Sequence, residues 1–213
     1  MSINLNPDKA LIFRIVHLDN VPWILGHGMF CRNAPVQDPG YRTIGNPELI
    51  EKRQRRDVPI APGGTLSDYI PFYFTPFTPM MYNIKTGYAG ITKVPNEKVV
   101  FFVSSIHRLN DMGREFVFTD RHAYLMSAEF YNDVHDLVHI DWPLLQSKNF
   151  QRDPDDPEKL ERYQAEALIH HHLPVEAFRG AVCYTDQVQN QLLELVERNG
   201  LGLQVKKLTN WYF

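Results

Sequence analysis

Apolar positions along this chain fall in short, separated clusters rather than along long helical stripes. Leu11 to Leu18 is an almost continuous apolar run and predicts a buried strand. Asp19 or Asn20 then caps a short helix carrying Val21, Ile24 and Leu25, stopped by Gly26 and Gly28. Two prolines and a glycine between Arg32 and Tyr41 predict a loop, and Pro47 opens a helix that carries Leu49, Ile50 and a basic face. Pro59, Pro62, Gly63 and Gly64 end that helix. Tyr69 to Phe74 is aromatic and predicts a strand; Pro76 and Pro79 interrupt it, and Met80 to Ile84 continues as a short helix or turn.

Val99 to Ser104 is the clearest buried strand, and Phe116-Val117-Phe118 is a second. Ala128 to Val138 has helical spacing through Phe130, Tyr131, Val134 and Leu137, and Pro157 to His172 reads as a helix that carries Glu166. Ala181 to Tyr184 predicts a strand. Asp186 is placed to cap a helix from Val188 to Arg198 that Gly200 stops, and Leu203-Gln204-Val205 opens a terminal strand. Short strands among a few helices, without regular βα alternation, predict an α+β fold. Gly26-His27-Gly28 lacks a third glycine and follows a helix, so a Rossmann dinucleotide site is not expected.

A chain of 213 residues with 44% hydrophobic content fits one domain, 1–213, with a proper core. Its net charge of −3 excludes a global basic field, so any nucleic-acid contact has to be local. Two cysteines, Cys31 and Cys183, make no disulfide framework, and Met1 to Asn6 does not read as a leader. With no run near the ~20 apolar residues that span a bilayer, a cytoplasmic protein without a membrane partner is expected.

Several residues carry candidate chemistry. His135 and His139 have the i, i+4 spacing of a zinc site, but Asp136 stands where a zinc protease needs a longer glutamate, and no metal site is expected. His170-His171-His172 reads as a polar helix end. Lys52-Arg53-Gln54-Arg55-Arg56 reads on its own as a solvated basic face. Arg14 sits on an apolar strand where an unpaired guanidinium is costly, so it needs an anion: a structural carboxylate or a bound pyrophosphate. Arginines near the aromatic run Tyr69-Ile70-Pro71-Phe72-Tyr73-Phe74 are materials for holding phosphates and stacking bases. Glu166, read alone, is an ordinary helix glutamate.

Together, Val16-His17-Leu18-Asp19-Asn20, Asp68-Tyr69-Ile70-Pro71-Phe72-Tyr73-Phe74 with Pro79-Met80-Met81-Tyr82, Phe116-Val117-Phe118-Thr119-Asp120-Arg121-His122 and Gln164-Ala165-Glu166 make the chain resemble the DarT family of bacterial nucleic-acid ADP-ribosyltransferase toxins. The resemblance runs from Phe13 to Tyr212. It implies an ADP-ribosyltransferase-like split β-sheet around a NAD cleft with peripheral helices, and modification of a base in single-stranded DNA. It also implies a cognate antitoxin that removes ADP-ribose, of macrodomain type or another.

By that resemblance Glu166 is the catalytic glutamate, and Arg53 matches the family's essential arginine, binding cofactor phosphate and assisting proton loss from the target base. Arg14, His17 and Asn20 are expected near the phosphates or ribose of NAD, and Tyr69, Tyr73 and Tyr82 near the nicotinamide. The loop from about Asp141 to Arg162 is expected to read DNA through Lys148, Asn149, Phe150, Gln151 and Arg152, with Arg55 and Arg56 beside it. Thymine-modifying members carry a histidine where Arg14 stands, which leans the expected base toward guanine. RNA stays open as a substrate. A protein-modifying transferase of the same fold and a non-catalytic nucleic-acid-binding module are the alternatives; Gln164, in place of a carboxylate two residues before Glu166, argues against an arginine-directed enzyme.

Overall fold

The computed structural model describes residues 4–213; residues 1–3, the start of the stretch read as lacking a leader, lie outside the described residues. Leu11–His17 (β1) is buried at most positions because both of its faces are covered. The ring Nδ1 of His17 accepts the Asp19 amide at 3.1 Å and turns the chain toward Val21–His27 (α1), which ends at Gly28 with φ 83°. Met29–Phe30 (β2) follows. Asn46 caps Pro47–Lys52 (α2) by accepting the Leu49 amide, and the helix tightens into a 3-10 turn, Arg53–Arg55. Tyr69–Tyr73 (β3) leads to Pro79–Thr86 (α3), capped by Thr78. Val99–Ser105 (β4) is buried at all seven positions, and Ile106–Asp111 (α4) follows it directly.

Beyond these lie Phe116–Thr119 (β5), Phe130–Tyr131 (β6), Trp142–Ser147 (α5) and Lys159–Arg162 (α6). Glu166–His170 (β7), His172–Leu173 (β8) and Gly180–Cys183 (β9) precede the amphipathic Asp186–Arg198 (α7), which buries Val188, Leu192 and Val196, and Gln204–Lys207 (β10).

Eight strands form one sheet in the order β10-β9-β4-β1-β3-β7-β5-β6, with β2 and β8 paired apart from it. The sheet is split at its middle. β1 holds β4 through seven register pairs, from Leu11↔Ser105 to His17↔Val99, but meets β3 through a single one, Phe13↔Tyr73. Beside that pair the Arg14 Nη1 donates to the Pro71 carbonyl at 2.9 Å. This is the expected α+β split sheet.

Three expectations from periodicity are corrected. The helix placed over 157–172 exists only as α6; Glu166 opens β7, which pairs with β3 on one side and β5 on the other. Ala, Glu and Leu favour a helix intrinsically, but the run is apolar on both faces and a central strand position overrides propensity. His170 therefore ends β7 and His172 opens β8, with His171 between them at φ 55°, and the run forms no helix end. The helix expected over 128–138 is instead β6 followed by a 3-10 turn, Val134–His139. There His135 bonds Asp133 at 2.7 Å while His139 stacks on Tyr131 at 4.7 Å. A smaller difference is that Thr185, not Asp186, caps α7.

Candidate active site

β7 begins at Glu166, opposite Tyr73 in register, so the glutamate stands at the edge of the split where β1 and β3 part. Its Oε2 accepts from Arg53 Nη1 at 2.9 Å and its Oε1 accepts from the Ala123 amide at 3.1 Å. Its own amide donates to Thr119 Oγ1 at 3.3 Å. The side chain is 1% exposed. Burial pushes the carboxyl up, but the Arg53 guanidinium, then the neighbouring His122 and the Ala123 amide, outweigh it, and the net direction is down. Glu166 is thus a carboxylate at neutral pH.

Arg53 is itself 9% exposed, and its Nη2 has no hydrogen-bond partner within the protein. A buried guanidinium with an idle donor is costly unless a ligand satisfies it. Ser67 Oγ is in the same position, 3% exposed and unpartnered. Both residues line one cleft of ≈ 300 Å³, together with Arg14, Tyr69, Tyr73 and Glu166. Trp23 and Phe30 wall it too, with ring centroids 5.6 Å apart. An apolar cleft with a few convergent polar groups is the usual form of a cofactor site. The idle Arg53 and Ser67 atoms suit a ligand bearing phosphate, hydroxyl and amide groups.

His122 lines the same cleft. Its Nδ1 accepts the Tyr124 amide at 3.2 Å, and burial, against the pull of Glu166, holds its pKa below the ordinary value. It is neutral at physiological pH, so its 3.4 Å approach to Glu166 Oε1 is no ion pair there. Tyr73 donates to Met80 Sδ at 3.5 Å, and burial raises its phenol far above neutrality. Among the described residues, no group of three or more His, Cys, Asp and Glu is arranged to hold a metal ion. No helix among them is long and apolar enough to cross a membrane.

The family profile described as "ssDNA thymidine ADP-ribosyltransferase, DarT" matches residues 13–213. A "DNA ADP-ribosyl transferase" of Escherichia coli O127:H6 is 50% identical over 212 residues, covering 100% of this chain and 97% of that one. The chain belongs to the DarT family. A second relative, from Thermus sp. strain 2.9, is 34% identical and covers 90% of each chain. The solved Thermus sp. 2.9 DarT in complex with ADP-ribosylated ssDNA is similar at a TM-score of 0.89 and 30% identity over 100% of both chains. The Thermus sp. 2.9 DarT in complex with NAD+ is similar at 0.83 and 31%, covering 97% of this chain and 99% of that one.

Of the residues expected in this DarT-family site, Glu166, Arg53, Arg14, Tyr69 and Tyr73 converge on the cleft. Tyr69 already spends its hydroxyl on the Gly63 carbonyl at 2.6 Å, and so presents a ring rather than a donor. His17 does not line the cleft; it caps the turn after β1. Asn20, fully buried, exchanges two hydrogen bonds with the Arg42 backbone at 2.8 and 2.9 Å, fixing the segment whose Tyr41 and Thr43 wall the cleft. Tyr82 faces outward against Phe150 and Phe213.

Arg56 is held by the Leu125 carbonyl at 3.0 Å, and Arg55 is exposed outside the cleft. Lys148 lies 4.0 Å over the Phe77 ring, while Asn149, Gln151 and Arg152 are exposed on the same loop. His122, Ser67, Trp23 and Phe30 were missed from sequence. Only His122 carried a signal, at the end of the Phe116 to His122 motif; the others are brought to the cleft by folding alone.

Proposed function

We propose that this chain is an NAD-dependent ADP-ribosyltransferase that modifies a nucleobase of single-stranded DNA and releases nicotinamide, acting in the cytoplasm as the toxin of a toxin–antitoxin pair. The observation that carries the reading is the buried Glu166–Arg53 pair with its idle Nη2, at the opening of the split sheet. The antitoxin is an enzyme that removes ADP-ribose, of macrodomain type or another. The Thermus sp. 2.9 relative, solved with NAD+ and with ADP-ribosylated ssDNA, supports substrate and product alike.

When nicotinamide leaves, the glycosidic bond breaks with its electron pair and positive charge develops on the ribose. A carboxylate fixed beforehand stabilises that charge at no reorganisation cost, as in glycoside cleavage. Glu166 is held ready for this by Arg53 and the Ala123 amide. Arg14, at the joint of the split sheet, offers its remaining donors to phosphate. The idle Arg53 donor serves a base carbonyl, favouring loss of the neighbouring N–H proton to solvent as the base nitrogen attacks the ribose carbon. Tyr69 and Tyr73 wall the nicotinamide side.

Thymine is the first reading for the base, because the profile that matches the chain is described by thymidine. Guanine, favoured by the histidine-to-arginine departure at Arg14, is the second; Arg14 Nη1 already donates to the Pro71 carbonyl. The test is incubation with labelled NAD and, separately, single-stranded DNA, duplex DNA, RNA and protein, followed by mass analysis of labelled nucleosides. An adduct on single-stranded DNA alone is expected, and it names the base. Label on RNA or protein instead would replace the substrate, and no label at all with folded protein would favour a binding module.

A further inference from the structure

We infer that Tyr82, Phe150 and Phe213 form a stacking platform for an unpaired base flanking the modified one; the inference rests on the single-stranded DNA reading above. The three rings come from α3, from the loop after α5 and from the segment after β10, and each touches the other two. Their centroids lie 6.3 Å (Tyr82–Phe150), 5.9 Å (Tyr82–Phe213) and 5.6 Å (Phe150–Phe213) apart, all tilted or edge-on. Yet Tyr82 is 43% and Phe213 40% exposed. Packed rings with this much open surface suit stacking with a base, which has a π-face whatever its sequence.

The platform is joined to the cleft from two sides. Met80, two residues before Tyr82 on α3, lines the cleft and meets the Tyr73 hydroxyl at 3.5 Å. Phe150 rests on the buried Tyr163 at 5.4 Å, three residues before Glu166. A strand whose target base enters the cleft would therefore continue over these rings. Lys148 on the same loop holds its ammonium 4.0 Å from the Phe77 centroid, and Arg152 is exposed nearby in sequence, supplying positive charge for the phosphates. Single-stranded nucleic acid is bound through this combination of stacking and local charge, and a chain of net charge −3 has to provide it locally.

The experiment uses the full chain and single-stranded oligonucleotides carrying the modified base, either intact or with one flanking position made abasic. KM for the oligonucleotide, KM for NAD and the thermal shift produced by NAD are read for wild type, Tyr82→Ala, Phe213→Ala and Tyr82→Trp. Tyr82→Ala and Phe213→Ala are expected to raise KM for DNA about five- to 100-fold while leaving KM for NAD and its thermal shift in place, and Tyr82→Trp to restore DNA binding. One abasic position should reproduce the loss in wild type and add nothing to it in Tyr82→Ala. Unchanged KM for DNA, or parallel loss in DNA and NAD parameters without rescue by tryptophan, would overturn the platform alone. Wild-type enzyme that leaves single-stranded DNA unlabelled would overturn the function reading as well.

Discussion

Arg53 Nη1 and Glu166 Oε2 lie 2.9 Å apart although 113 positions separate the residues in sequence, and the contact is buried. Breaking a buried pair from one side strands the other charge, at a cost of about 3–5 kcal/mol. Glu166→Gln keeps the volume but removes the charge. It should lower kcat by about a hundredfold or more and also lower Tm, with NAD still producing a thermal shift. Arg53→Lys should lose activity too, since one ammonium cannot serve the carboxylate and a ligand through a planar fork. Steady-state kinetics beside thermal denaturation check both; full activity in either variant removes that residue from the mechanism.

Ser67→Ala separates binding from folding. Ser67 Oγ has no partner within the protein, so its removal should leave Tm unchanged or slightly raised. KM for NAD should rise by up to about tenfold, the value of one hydrogen bond. Unchanged KM would mean the hydroxyl does not meet the ligand.

Arg162 clamps the loop that precedes Glu166. Its Nη1 and Nη2 donate to the two Asp156 oxygens at 3.0 and 2.7 Å, and its Nε to Asp141 Oδ2 at 3.2 Å. Asp141 in turn caps α5 through the Leu144 amide. Both ends of the loop are thereby fixed by one fork. Arg162→Ala is expected to raise KM for DNA by about tenfold and to open the loop to limited proteolysis, with KM for NAD little altered. Wild-type resistance to protease would show that the clamp is dispensable.

Stability should fall on acidification in two stages. Burial is the main cause holding His122 below 6.5, and the same is true of His17, where Asp19 partly offsets it. As pH drops through 6.5 the unfolded chain takes up these protons before the folded one, and stability is lost until the folded values are passed. Glu166 titrates below 4.5 in the folded state, so the stability it contributes is present above 4.5 and is lost as pH falls through its folded value. A series of Tm values against pH should show both, and His122→Asn should shrink the first. An unchanged first stage in that variant would mean that His122 is not a buried neutral histidine.

Much of the frame was legible because strands buried on both faces announce themselves by composition. Leu11 to Leu18 and Val99 to Ser104 were read as strands and, as β1 and β4, form the longest pairing of the sheet, with seven register pairs. Pro47 marked the start of α2, which Asn46 caps in the structure. The strand at Glu166 was misread as helix because Ala-Glu-Ala-Leu-Ile carries no period-2 signal when both faces are covered. Tyr82 and His17 were expected at the cofactor from the family motif, and the motif says which segments meet without saying where each side chain points.

Sequence by itself determined the class of the chain, an α+β transferase of the DarT family, because the motifs that carry the resemblance are local, and the resemblance brought forward Glu166 and Arg53 as candidates. Only the tertiary structure decided what surrounds them. The split between β1 and β3 opens the cleft, and hydrogen bonds over long separations choose which of its polar atoms are satisfied. Arg53 Nη2 and Ser67 Oγ remain idle because no protein group reaches them. That is a property of packing in three dimensions, which no spacing along the chain encodes.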